Sequence, residues 1–146
     1  MKRILAAALA SAVLAIAAPA FAEDAVGPHA ISAVTERADY ASQLQGVSFY
    51  FGDQGHPAVS RVIERDATTS LRTRKFGRSN EEACQWVMLS ALIQLRDHAL
   101  AVGGNAVVNV RSNWRNNTTS STTEYQCSAG FLMAGVALKG DVVRLR

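Results

Sequence analysis

Two cysteines, three histidines and one run of arginine and lysine are the residues here whose chemistry could do more than fill a core. Cys84 and Cys127 lie 43 positions apart. In a chain that leaves the cytosol, an even cysteine count points to a disulfide. Closing a loop of that length is worth about 4 kcal/mol in the chain-entropy picture. A two-cysteine metal site is the competing use, but no histidine stands within a few residues of either thiol. His56 follows Asp53 in the run Gly52-Asp53-Gln54-Gly55-His56-Pro57. An Asp/His pair in a glycine-rich loop suits proton transfer or metal binding only when a third group joins it. Ser-His-Asp chemistry would need groups converging from distant loops, and nothing in the sequence marks a nucleophile. His98 falls late in an expected helix, where a cation suits the dipole, and His29 stands alone. The residues therefore assign no catalytic, cofactor-binding or metal-ligating position. Arg72, Arg74, Lys75 and Arg78 form the local basic cluster. It reads either as a patch for anions or lipid headgroups or as the charged edge of a strand kept from pairing. Trp114 and Tyr125 flank a polar Asn/Thr stretch, and together with the cluster they complete a candidate interaction surface.

The thiol argument depends on export, and the first residues supply it. Met1-Lys2-Arg3 is a basic start, Ile4 to Ala18 an apolar run broken only by Ser11, and Pro19-Ala20-Phe21-Ala22 a small-residue exit. This is the layout of a secretory signal peptide cleaved between Ala22 and Glu23. The apolar run is too short for a comfortable permanent span, and no Cys follows it to take a lipid. The expected location is periplasmic or secreted, with no transmembrane anchor after cleavage. Losing Lys2 and Arg3 takes the formal charge from +3 to +1, so the pI near 9.2 gives no support for nucleic-acid binding.

With 146 residues, 49% hydrophobic and 18% charged, the chain has room for one small domain and is neither disordered nor a multidomain enzyme. After the signal, residues 23–45 form an undecided extension, with helix-compatible spacing from Ala30 to Leu44. Residues 46–146 form the domain. Val47 to Phe51 is a strand by its β-branched and aromatic content. Val59 to Arg65 alternates, Asp66 and Ala67 interrupt, and Thr68 to Phe76 runs on as an extended polar segment. Ser79 with Glu82 is a capping box. It opens a helix from Asn80 to about Val102, stopped by Gly103-Gly104. Trp86, Leu89, Ile93 and Leu100 follow the spacing of a buried face, with Met88, Leu92, Leu95 and Ala99 as a second stripe. Asn105 to Trp114 is a strand, and Arg115 to Thr123 a mobile polar loop. Glu124 to Leu138 is a central strand in which Gly130 and Gly135 mark a bulge or a close approach of the helix. Lys139-Gly140-Asp141 is a turn before a short last strand, Val142 to Leu145. The fold class is α+β: one long helix packed on a mostly antiparallel sheet of about four to five strands.

The block Ala101-Val102-Gly103-Gly104-Asn105-Ala106-Val107-Val108-Asn109-Val110 resembles the helix-to-strand turn of the YbjQ-like proteins. Tyr125-Gln126-Cys127-Ser128-Ala129-Gly130 with Ala134 to Asp141 resembles their closing strand. The Tyr125/Cys127 pairing in an exported chain is similar to the RcsF-like envelope stress sensors, whose related fold carries helix-to-sheet disulfides. Some small exported proteins of this look are labelled an excinuclease ATPase subunit. The chain has no Gly-x-x-x-x-Gly-Lys-Ser/Thr loop and no zinc-type Cys pairs, so it offers nothing to that label. The resemblance implies a YbjQ/RcsF-like fold and a non-enzymatic module of the envelope, sensing stress or binding another envelope protein. A periplasmic small-ligand or metal-binding protein is the alternative, and a small hydrolase a weaker one. No cofactor is expected.

Overall fold

The computed structural model describes residues 25–146; the expected signal segment, with its expected cleavage between Ala22 and Glu23, lies outside the described residues. The elements follow in the order β1 (Ala25–Ala30), α1 (Ser32–Thr35), α2 (Tyr40–Gln43), β2 (Ser48–Phe51), β3 (Val59–Arg74), α3 (Asn80–Ala101), β4 (Ala106–Trp114), β5 (Asn117–Thr119), β6 (Glu124–Ala129) and β7 (Met133–Leu145). This is an α+β fold with one long helix, but the sheet is mixed and has seven strands rather than four or five. β7 is the hub. β3 pairs along one edge of it, from Val59↔Leu145 to Arg74↔Met133. The other edge takes β6 near its start (Ser128↔Gly135) and β4 towards its end (Ala106↔Val143 to Ser112↔Leu138). β1 extends the sheet beyond β6, antiparallel, while β2 lies parallel to β4.

Helix α3 forms where its cap predicts. The Ser79 hydroxyl accepts from the Glu82 N–H at 3.1 Å, and Glu81 and Glu82 put negative charge on the first turn. Of the two expected stripes, Met88, Leu92, Leu95 and Ala99 are buried, as is Leu89 of the other, but Trp86 and Leu100 are not. Cys84, Val87, Met88, Ala91, Leu92, Leu95 and Ala99 are sealed against β7 and β3, whereas Trp86 and Leu100 are 43% and 45% exposed. At about 100° per residue, Trp86 and Leu100 stand roughly 160–200° round from Cys84, so a helix phased by the disulfide turns them outward, while Ile93 stays partly buried against the core. The Arg37 and Arg78 guanidiniums flank the Trp86 indole, 5.8 and 5.3 Å from its centre.

Four further expectations change. The stretch taken as an extension is part of the core: β1 pairs with β6, and Ile31, Val34 and Leu44 are buried. The interruption at Asp66 is a set of bulges inside one continuous strand, β3, with Asp66 at φ 53°. The polar loop after Trp114 begins as a hairpin. Arg115 and Asn116, both at positive φ, make the two-residue turn into β5. Glu124 to Leu145 is two strands, β6 and β7, split at Gly130–Leu132, and Lys139-Gly140-Asp141 continues β7 instead of turning. Gly140 fits there because a Cβ would lie 2.7 Å from Val107 Cγ1. Gly135 has the same reason with another neighbour. A Cβ would lie 2.5 Å from the Trp114 ring, which covers β7 on the side facing away from α3.

Candidate interaction tip and disulfide cluster

At one end of the sheet the chain reverses twice side by side. The β3–α3 turn carries Lys75-Phe76-Gly77-Arg78, and the β6–β7 turn carries Gly130-Phe131-Leu132. The Lys75 N–H donates to the Leu132 carbonyl at 2.9 Å, and its Nζ donates to the Gly130 carbonyl at 3.1 Å and to Asn80 Oδ1. The Gly130 N–H closes its own turn on the Met133 carbonyl. The two reversals therefore form a single rigid tip. Phe131, Phe76 and Leu132 project from it, 92%, 78% and 69% exposed. Between Phe76 and Gly77 on one side and Phe131, Leu132 and Met133 on the other runs an apolar trough of about 720 Å³. Phe76 holds a left-handed backbone, φ 49°, which bulky L residues avoid.

The basic cluster belongs to this end. Arg72 and Arg74 come from the last turn of pleat in β3, Lys75 and Arg78 from the turn after it. Among the described residues none of the four forms an ion pair. The Arg72 guanidinium lies 5.1 Å from the Trp114 ring centre and that of Arg78 beside Trp86, so both are oriented without being neutralised. β3 has β7 on one side only, so its charges also guard an open edge. The two aromatic residues expected in the same surface are elsewhere: Trp114 and Tyr125 are 7% and 2% exposed, packed inside the protein.

Tyr125 sits instead at the second cluster. Cys84 of α3 and Cys127 of β6 are joined, with Cα atoms 6.0 Å apart, and the bridge staples the helix start to the sheet. His29 of β1 leans on the Tyr125 ring at 5.8 Å, and its Nδ1 faces Glu81 Oε1 at 3.6 Å. The Tyr125 hydroxyl and His29 Nδ1 are buried and find no hydrogen-bond partner among the described residues. Burial first, and the Glu81 charge second, push the Tyr125 phenol well above its ordinary range, so it stays neutral. The ligand atoms of His29, Cys84 and Cys127 lie within 4.8 Å of one another. Both sulfurs are committed to each other, however, and a disulfide offers a metal no thiolate.

The remaining candidates stay apart. His56 Nδ1 lies 2.8 Å from the Pro57 carbonyl, and its ring leans on Tyr50 at 5.6 Å. No carboxylate pairs with it among the described residues. His98 pairs with Glu64 of β3 at 2.5 Å, tying the end of α3 to the sheet. A buttress on the sheet side joins the bulges. Arg111 donates to Asp66 Oδ1 at 2.6 Å, the Asp66 N–H donates to Asp141, and the Asp66 carboxyl is held below the usual carboxylate range by Arg111. Sequence reasoning found the cations but missed Phe76, Phe131 and Leu132. The signal for the last two was Gly130 breaking an apolar run.

No protein-family model matches the chain, and no curated protein or solved structure matches it either.

Proposed function

We propose that this chain is an exported, non-enzymatic interaction module of the bacterial envelope, braced by one disulfide and docking through the tip at Phe76, Phe131 and Leu132. One observation carries the reading. Three large apolar side chains stand 69–92% in solvent on two turns locked together, beside four cations that form no ion pair among the described residues. Isolated exposed apolar residues are ordinary; a contiguous group rimmed by charge marks a contact surface. The bridged cysteines support an oxidising location. Kinship with the YbjQ-like and RcsF-like proteins, and a part in sensing envelope stress, belong to the same proposal and rest on the sequence blocks quoted above.

The test is co-sedimentation of the purified protein with washed envelope membranes that retain their own proteins. The native chain is expected in the pellet, and the double variant F131S/L132S in the supernatant at equal folded content. Equal pelleting of the two, or no pelleting of either, overturns the docking surface.

A further inference from the structure

Resting on that reading, we infer that the tip's partner is the surface of an anionic lipid bilayer, which it enters with Phe76, Phe131 and Leu132 while the arginines and Lys75 stay among the headgroups. The first ground is layering. Arg72 and Arg74 stand on β3, before the turn that carries Phe76, and at about 3.3 Å per strand residue Arg72 is set back about 7 Å behind Arg74. That is the depth over which an interfacial protein passes from acyl chains to headgroups. The second ground is charge. The segments Leu71 to Asn80 and Gly130 to Met133 contain four cations and no acidic residue. The acids nearest in sequence are Glu81 and Glu82, on the first turn of α3, and none of the four cations is paired among the described residues. Unneutralised Arg and Lys next to an apolar group is what an anionic leaflet attracts. A protein partner would need an acidic socket cut to receive three projecting side chains, whereas lipid closes around a projection of any shape.

The third ground is that Phe76 serves neither folding nor solubility. Its side chain is 78% exposed and its backbone sits at φ 49°. Asn takes that conformation more easily and would leave less apolar surface in water. Backbone strain of this kind collects at functional positions, where the side chain is kept for what it touches. Lys75, bonded to both turns, fixes the geometry in advance, so little freedom is lost on contact.

The experiment uses protein-free, sucrose-loaded vesicles, one set with about a third phosphatidylglycerol in phosphatidylethanolamine and one of phosphatidylcholine alone. The native protein is expected to partition at least tenfold more strongly onto the first set, and to lose about tenfold when salt rises from 0.05 to 0.5 M. F131S and F76N should each lose about tenfold or more. F76N should melt no lower than the native chain, so that lost binding is not lost folding. Native protein that ignores phosphatidylglycerol vesicles, or variants that bind them unchanged, overturns the inference. If the native chain pellets with whole envelope membranes but not with these vesicles, the docking tip stands, its partner is an acidic protein surface, and the lipid assignment falls. If it pellets with neither, both fall.

Discussion

Removing the staple between α3 and β6 should cost this domain a large fraction of its net stability. The bridge spans 43 positions and encloses most of α3, the β4–β5 hairpin and the first residues of β6. Restricting the unfolded chain over that length contributes about 4 kcal/mol, against a typical total of about 5–15 kcal/mol for a domain. A domain of about 120 residues gains roughly 0.25 kcal/mol per kelvin of unfolding entropy, so the same loss appears as a fall of about 15 °C in Tm. The perturbations are the double variant C84A/C127A and, separately, the native protein under phosphine reductant. Both are followed by urea and thermal unfolding. Reduction isolates the crosslink; the double variant adds the packing lost when two sulfurs at 0% and 1% exposed are removed. The variant should be insensitive to reductant, and both reduced forms should unfold with a steeper urea dependence, because an uncrosslinked chain exposes more surface. A difference below about 1 kcal/mol between oxidised and reduced protein, or two titratable thiols in unreduced unfolded protein, would refute the reasoning.

Two further outcomes follow from close contacts and charge. Gly135→Ala should destabilise by about 1–3 kcal/mol in urea, because the new Cβ meets the buried Trp114 ring and Arg72 Cγ. Ala normally improves a strand position over Gly, so an unchanged or higher midpoint would show that Trp114 is loosely held. Asp66→Asn keeps a residue that tolerates φ 53° and removes only the charge facing Arg111. Since Arg111 lowers the folded carboxyl below its unfolded value, that stabilisation is complete above about pH 4 and disappears as pH falls through the folded value. The variant should therefore be less stable near pH 6, and the gap in urea midpoints should narrow as pH falls from about 4 towards 3. A gap that stays constant across that range would rule out the pair.

What could be read from the sequence was what depends on near neighbours. Ser79 and Glu82 fix the start of α3 through three residues, and the capping geometry is there. The stripe Met88, Leu92, Leu95 and Ala99 was legible, whereas Trp86 and Leu100 were misplaced, although counting from Cys84 puts them outside. β1 carries Gly27 and Pro28, poor strand formers that an edge position tolerates, and its partner β6 is a hundred residues away in sequence. Phe131 and Leu132 were hidden by composition. An unbroken apolar run from Ala129 to Leu138 looks like a buried strand, and only Gly130 hints that the chain reverses there. The basic cluster was plain in the sequence, but its apolar companions lie on a separate turn that only the sheet brings alongside.

β7 comes after every strand it holds together. β3, β4 and β6 share few bonds with one another and each is fastened to it, so the sheet cannot close until this last segment arrives. A chain lacking it keeps only the pairs β1–β6, β2–β4 and β4–β5, with β3 joined to none of them. The pairs of β7 with β3 and β4 can be complete only once the chain is made through Leu145, so the core of the sheet is assembled last.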